Sequence, residues 1–154
     1  ESYAALAGGR VDVCMIGYPF GLNAKNAGFN LLFRPSQTEY GLFPTAVIAA
    51  REAWLKDARN HKVAVDFLRA LSEGQQFARD NAAVTKRALR RFTRVDDDAS
   101  LQGSFEYYRD AFPSSLRVIE KAMANALKFV DHPKAKQADI KQTFDNSFVD
   151  EAIK

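Results

Sequence analysis

The sequence predicts an α/β chain, with a few parallel strands followed by a predominantly helical tail. Three observations lead there. Residues 1–50 hold most of the glycines and three of the five prolines, set around short apolar runs. From Arg51 onward the apolar residues recur at helical spacing almost to the end. Within the first 34 residues, a strand-like run, a helix-like run and a second strand-like run follow one another with short connections. That order is a βαβ unit, which implies parallel pairing.

The elements follow in order. Tyr3 to Ala7 reads as the last turns of a helix closed by Gly8-Gly9. Val11 to Ile16 is apolar and predicts a first strand, broken at Gly17. Pro19 suits a helix's first turn, where its missing N–H costs nothing, and that helix should run to about Ala27 and stop at Gly28. Asn30 to Arg34 predicts a second strand. Pro35 to Gly41 is polar and turn-rich. Pro44 to Ala50 predicts a third strand, apolar enough to be central. Three strands do not make a self-sufficient sheet covered on both faces. Together with the helix ending at the start of the chain, this leads to the expectation that the chain is part of a longer one.

Helices are then expected over Arg51–Arg59, which carries the only tryptophan, Trp54, and from Val63 to Ala78. A further one should span Val84–Phe92. Asp96-Asp97-Asp98 is a helix-start signal, because carboxylates favour the positive N-terminal end. The helix it starts should bury Leu101, Phe105, Tyr108 and Phe112 and end at Pro113. Ser114 should cap a longer helix, with Leu116, Ile119, Met123, Ala126, Leu127 and Val130 on one face. His132-Pro133 stops it. Two short helical segments finish the chain, with Asp145 and Ser147 as candidate caps of the last.

With 154 residues, 47% of them hydrophobic and 27% charged, the chain suits one ordinary globular domain with a hydrophobic core. The net charge of +3 is uneven. Residues 51–94 carry eleven basic and five acidic groups, and residues 95–112 one basic and five acidic. A basic block beside an acidic one points to electrostatics within the molecule or with a partner, more than to a nucleic-acid surface. Lys86, Arg87, Arg90, Arg91 and Arg94 would form a cationic stripe on a helix. It reads as a solvated face, with phosphates or an acidic membrane partner as its other uses. The single cysteine, Cys14, excludes an internal disulfide and reads as a small buried hydrophobe.

Phosphate-binding, dinucleotide-binding, serine-hydrolase and zinc-protease motifs are all missing from the sequence. Two distant histidines and one cysteine make a zinc site improbable on spacing. The richest segment is Asp12 to Phe20. Ligands of parallel α/β sheets collect at the carboxyl ends of strands, and Gly17 to Phe20 would lie at such an end, running into a helix N-terminus. Gly17 admits close approach to the backbone, and Tyr18 adds a ring and a phenol.

The stretch Ala4-Ala5-Leu6-Ala7-Gly8-Gly9-Arg10-Val11-Asp12-Val13 resembles a recurring segment of solute-binding proteins of the nitrate, sulfonate and taurine type, with their thiamine-pyrimidine-precursor relatives. Tyr18-Pro19-Phe20 with Leu22, Ala24, Ala27-Gly28-Phe29 and Leu32 resembles a second. Arg51-Glu52-Ala53-Trp54-Leu55 resembles the short helix after a return strand. Phe67-Leu68-Arg69-Ala70 with Glu73-Gly74 and Phe77-Ala78, and Asp145-Asn146-Ser147-Phe148-Val149, resemble two more. The resemblance covers nearly the whole chain in order. It departs at Gly17-Tyr18-Pro19, where relatives often carry Ser-Pro-Pro.

The resemblance implies the C-terminal portion of a two-lobed type II periplasmic-binding-protein fold. Residues 1–34 would end the second lobe, 35–43 would cross the hinge, and 44–154 would return to the first lobe. It implies a periplasmic or extracytoplasmic solute-binding component of an ATP-binding-cassette importer. Such a protein is no enzyme and carries no cofactor. Its partners would be a sulfonate, nitrate, aromatic acid or pyrimidine and the membrane permease, with no nucleic acid. The expected ligand-binding residues are Gly17, Tyr18, Pro19 and Phe20, with Tyr40 in the hinge. The alternatives are a pyrimidine-precursor biosynthesis enzyme of the same fold and a ligand-sensing module of a regulator. The isolated segment is also expected to self-associate through unpaired strand edges.

Overall fold

The computed structural model describes residues 2–34, 38, 41–44, 46–111 and 114–154. Among them there is no β-strand, so the α/β expectation is overturned: the described fold is all-helical. The helices are α1 (Ser2–Ala7), α2 (Phe20–Asn26), α3 (Glu52–Leu55), α4 (Ala58–Asp80), α5 (Ala82–Thr93), α6 (Asp98–Ala111), α7 (Glu120–Lys128) and α8 (Ser147–Ala152). Two 3-10 turns lie at Ala135–Gln137 and Ile140–Gln142.

The physical reason for the correction is pairing. A strand exists only where a neighbour takes up its backbone hydrogen bonds. Residues 11–16 and 30–34, and 46–50 of the third expected strand, form no backbone ladder with any described residue. Val13, Met15, Leu31, Leu32, Phe33, Val47 and Ile48 are exposed, so these runs do not bury their side chains either. Apolar, β-branched composition favours a half-buried pleated surface but does not supply the neighbour.

The chain divides into two compact units. The first comprises Glu1–Leu32 and Gln75–Ser114, the second Phe33–Gly74 and Ser115–Lys154. In the first unit, α1 ends as the sequence predicts. Gly8 and Arg10 donate backbone N–H groups to Ala4 and Ala5 at 3.0 and 2.9 Å, and Gly9 takes the left-handed φ of 65° that closes the helix. Helix α2 starts one residue after Pro19 and closes at Gly28, whose φ is 87°. Its core residue is Ala24, which is buried in this unit together with Pro19 and with Leu101, Phe105, Ser100 and Ser104 of α6. Ser104 Oγ donates to the Ser100 carbonyl at 2.7 Å, so the hydroxyl is satisfied within its own helix.

Helix α6 begins where the three aspartates stand. Asp97 accepts the Ser100 N–H at 2.7 Å. That acceptance, from the Ser100 side chain and backbone, holds the Asp97 carboxyl below its ordinary 3.8. Helix α5 packs against α6. Lys86 reaches Gln102 at 2.8 Å, and Arg90 pairs with Asp98 at 2.6 Å and Asp96 at 3.4 Å. The α5 part of the basic block thus meets the acidic block within one unit.

In the second unit, Asp57 divides what the sequence presents as one stretch from Arg51 to Arg59. Its carboxylate accepts the N–H groups of Arg59 and Asn60 at 2.8 and 3.3 Å, ending α3 and starting α4. The helix expected from Ser114 forms only over Glu120–Lys128. The side chain of Asn146 takes the preceding residues instead: Val118 N–H donates to its Oδ1 at 2.8 Å, and its Nδ2 donates to the Val118 carbonyl at 3.1 Å. Val65, Ala122, Val149 and Ala152 are the buried residues here. Arg117 pairs with Asp150, and Arg69 Nε donates to the Ala152 carbonyl at 3.0 Å. His61 packs against Phe148 with ring centroids 4.6 Å apart and planes tilted by 38°, and its Nε2 lies 2.9 Å from a Glu151 oxygen.

Asp145 accepts the Ser147 N–H at 2.8 Å at the start of α8. Its carboxyl is held below 3.8 first by the Ser147 side chain, then by the Ser147 backbone and His61. A depressed carboxyl contributes stability that is present above its ordinary value and lost as pH falls through the lowered one. Asp97 and Asp145 both follow this sign. Thermal melts should therefore drop as pH is taken below 3.8. Asp145→Asn should flatten that acid limb, and an unchanged limb would remove Asp145 from it.

Candidate ligand-binding site

Four of the expected ligand residues stand together between α1, α2 and α6, all in the first unit. Tyr40 lies outside the described residues. Gly17 is exposed, Tyr18 half-buried, Pro19 buried and Phe20 half exposed at 50%. They form the turn that leads into α2. Because the runs before and after it are not strands, the turn does not sit at the end of a sheet as the sequence led us to expect. Its surroundings are helical side chains.

The turn is held mainly by tyrosines. The Tyr18 ring stacks on Tyr107, with centroids 5.1 Å apart and planes 28° from parallel. Tyr107 meets Tyr108 edge-on at 5.1 Å. The Tyr108 hydroxyl donates to the Tyr18 carbonyl at 3.4 Å. Phe20 stacks on Tyr3 of α1 at 6.4 Å. Offset and edge-on aromatic pairs of this kind each add about 0.5–1.5 kcal/mol beyond the area they bury. Two groups of rings thus hold the turn, Tyr3 with Phe20 on one side and Tyr18 with Tyr107 and Tyr108 on the other, and Tyr107 is 41% and Phe20 50% exposed.

Gly103 makes this possible. A Cβ at position 103 would lie 3.0 Å from Tyr18 Cε1 and 3.6 Å from its Cδ1. Any larger residue there would push the Tyr18 ring away by at least a few tenths of an ångström. Gly103→Val should displace that ring. The overpacking cost of about 1–3 kcal/mol is partly offset by the helix propensity gained over glycine, leaving a net loss of about 1 kcal/mol. The tyrosine near-UV circular dichroism should change with it. An unchanged spectrum would mean that Tyr18 does not rest there.

Beside α1 lies an open hollow of about 590 Å³, lined by Ser2, Ala4, Ala5, Arg10, Val11 and Cys14. Cys14 is half-buried, and its Sγ lies 3.5 Å from the Ser2 carbonyl. Arg10 is the one cation among these lining residues, on walls that are otherwise mostly apolar. No three His, Cys, Asp or Glu side chains gather as metal ligands among the described residues. Nor is any described helix long and apolar enough to cross a membrane.

The chain matches no family model, no curated protein and no solved structure. The site is therefore judged on its own chemistry. It offers flat apolar faces, phenol groups and backbone at a glycine. That set can stack and orient a small planar molecule.

Sequence reasoning placed Gly17 to Phe20 but missed Tyr3, Gly103 and Tyr107. Tyr107-Tyr108 is visible as an adjacent pair, which on a helix points about 100° apart, so one ring can face inward while the other stays accessible. That signal was present in the sequence. The Gly103 contact was not, since it depends on two segments 85 residues apart.

Proposed function

We propose that this protein is the solute-binding component of an ATP-binding-cassette importer, holding a small aromatic or anionic solute and passing it unconverted to a membrane permease outside the cytoplasm. The observation that carries the binding reading is the exposed ring of Tyr107 stacked on Tyr18, with the half-exposed Phe20 in the same turn. Aromatic side chains give large contact area at small entropic cost. The assignment to an importer rests on the sequence resemblance described above.

Aromatic carboxylates and pyrimidines fit the rings best. Sulfonates and nitrate would instead draw on Arg10 at the neighbouring hollow. A thermal-shift panel of these four classes tests the reading. A solute at about 100 times its dissociation constant adds roughly 2.7 kcal/mol of stability. Tyr107→Ala should then weaken an aromatic solute about tenfold, in line with one lost aromatic pair of up to about 1.5 kcal/mol. No stabilisation by any class would overturn the reading, and so would binding indifferent to both Tyr107→Ala and Phe20→Ala.

A further inference from the structure

The outward face of α5 is the strongest unassigned surface of the first unit. Its rotation about the helix axis is fixed by contacts of Lys86 and Arg90 on the opposite side and of Thr85 at its margin. Thr85 Oγ1 donates to the Ala78 carbonyl at 2.7 Å, Lys86 reaches Gln102, and Arg90 pairs with Asp98 and Asp96. Two of the five cations in the sequence stripe are therefore engaged within the protein. The other three, Arg87, Arg91 and Arg94, are exposed and form no ion pair with described residues.

With that rotation fixed, positions 84, 88 and 92 form one exposed row, four residues apart, and Arg87 and Arg91 form the next. The first row is Val84, Ala88 and Phe92, and it spans about 12 Å of helix. Phe92 is 85% exposed, the most of any large apolar side chain described. No acidic residue occurs between Asp80 and Asp96. Arg94 follows at the helix end with a left-handed φ of 57°, adding a third guanidinium there.

We infer that this face of α5 docks on an anionic lipid surface. Charge complementarity requires a negative partner, and the apolar row beside the cations selects its kind. At a bilayer interface, guanidinium groups meet headgroup phosphates while apolar side chains enter the boundary below them. A nucleic-acid backbone would use the arginines but give Phe92 no apolar medium to enter. The inference is independent of the solute site, since none of these residues belongs to it.

Co-sedimentation with vesicles of about equal phosphatidylglycerol and phosphatidylcholine tests it, with pure phosphatidylcholine as the second arm. The protein should bind the anionic vesicles and not the neutral ones. The double variant R87Q/R91Q should weaken partitioning about 30-fold. Phe92→Ala should weaken it about tenfold, with the far-UV circular dichroism unchanged because the replaced side chains are exposed. No binding to anionic vesicles would overturn the inference. So would vesicle binding that survives both variants, or binding to duplex DNA tighter than to vesicles and indifferent to Phe92→Ala.

Discussion

Leu101→Ala is expected to lower the unfolding free energy by about 3 kcal/mol, within the 2–5 kcal/mol typical of large-to-small changes at buried leucines. Leu101 is 2% exposed, the most deeply buried large side chain among those described. It lies on α6 beside Ser100, Ser104 and Phe105, all buried, and α6 packs on both α2 and α5. The neighbouring hydroxyl of Ser104 is bonded within the helix and is not free to fill the void. Part of the loss is transfer of the removed carbons and part is the cavity left behind. Urea unfolding monitored by circular dichroism gives the number. A loss below about 1 kcal/mol would mean that the site collapses or that Leu101 is not the centre of this unit's core. The exposed Leu31→Ala serves as the control and should change stability by less than about 0.5 kcal/mol.

Asn146→Ala should cost the second unit about 2–3 kcal/mol. The amide makes two hydrogen bonds to one residue, accepting from the Val118 N–H and donating to the Val118 carbonyl. Alanine removes both partners while leaving a partly buried N–H and carbonyl to find water. Each lost bond costs about 1–1.5 kcal/mol under those conditions. Asn146 also stands directly before α8, whose Val149 and Ala152 are buried. Loss of the bridge should therefore loosen α8, and hydrogen exchange at Val118, Asp150 and Ala152 should quicken together. Asn146→Gln tests geometry apart from polarity. Its longer arm displaces the amide and should recover less than half of the loss. Full stability in Asn146→Ala would show that the bridge carries none of the fold.

Several helices were legible in the sequence because their signals are local. Pro19 and Gly28 bracket α2, Asp97 starts α6, and Asp145 caps α8, all through contacts within a few residues. Asp57 acts in the same local way, but the apolar spacing on either side of it hid the break between α3 and α4. Residues 116–119 were misread for a different reason. Their apolar spacing fits a helix, yet an amide 28 residues away binds the Val118 backbone and holds it out of one. The strand expectation failed at the same level. Runs such as Val11 to Ile16 have the composition of strands, but pairing is a property of two segments, and no described segment lies alongside.

The candidate site was half legible. A glycine, a proline and two aromatics before a helix mark Gly17 to Phe20 as a turn with chemical content. What surrounds that turn was decided by the packing of α6, because Tyr107, Tyr108 and Gly103 reach it across about 85–90 residues of chain. The cationic stripe shows the same division. The sequence alone determined that α5 would be basic, that acid would follow it, and that a helix would start at the aspartates, since charge and capping depend on neighbours in the chain. Only the tertiary structure decided which cations are spent on α6 and which face outward, because that depends on the rotation of one helix against another, fixed by Thr85, Lys86 and Arg90.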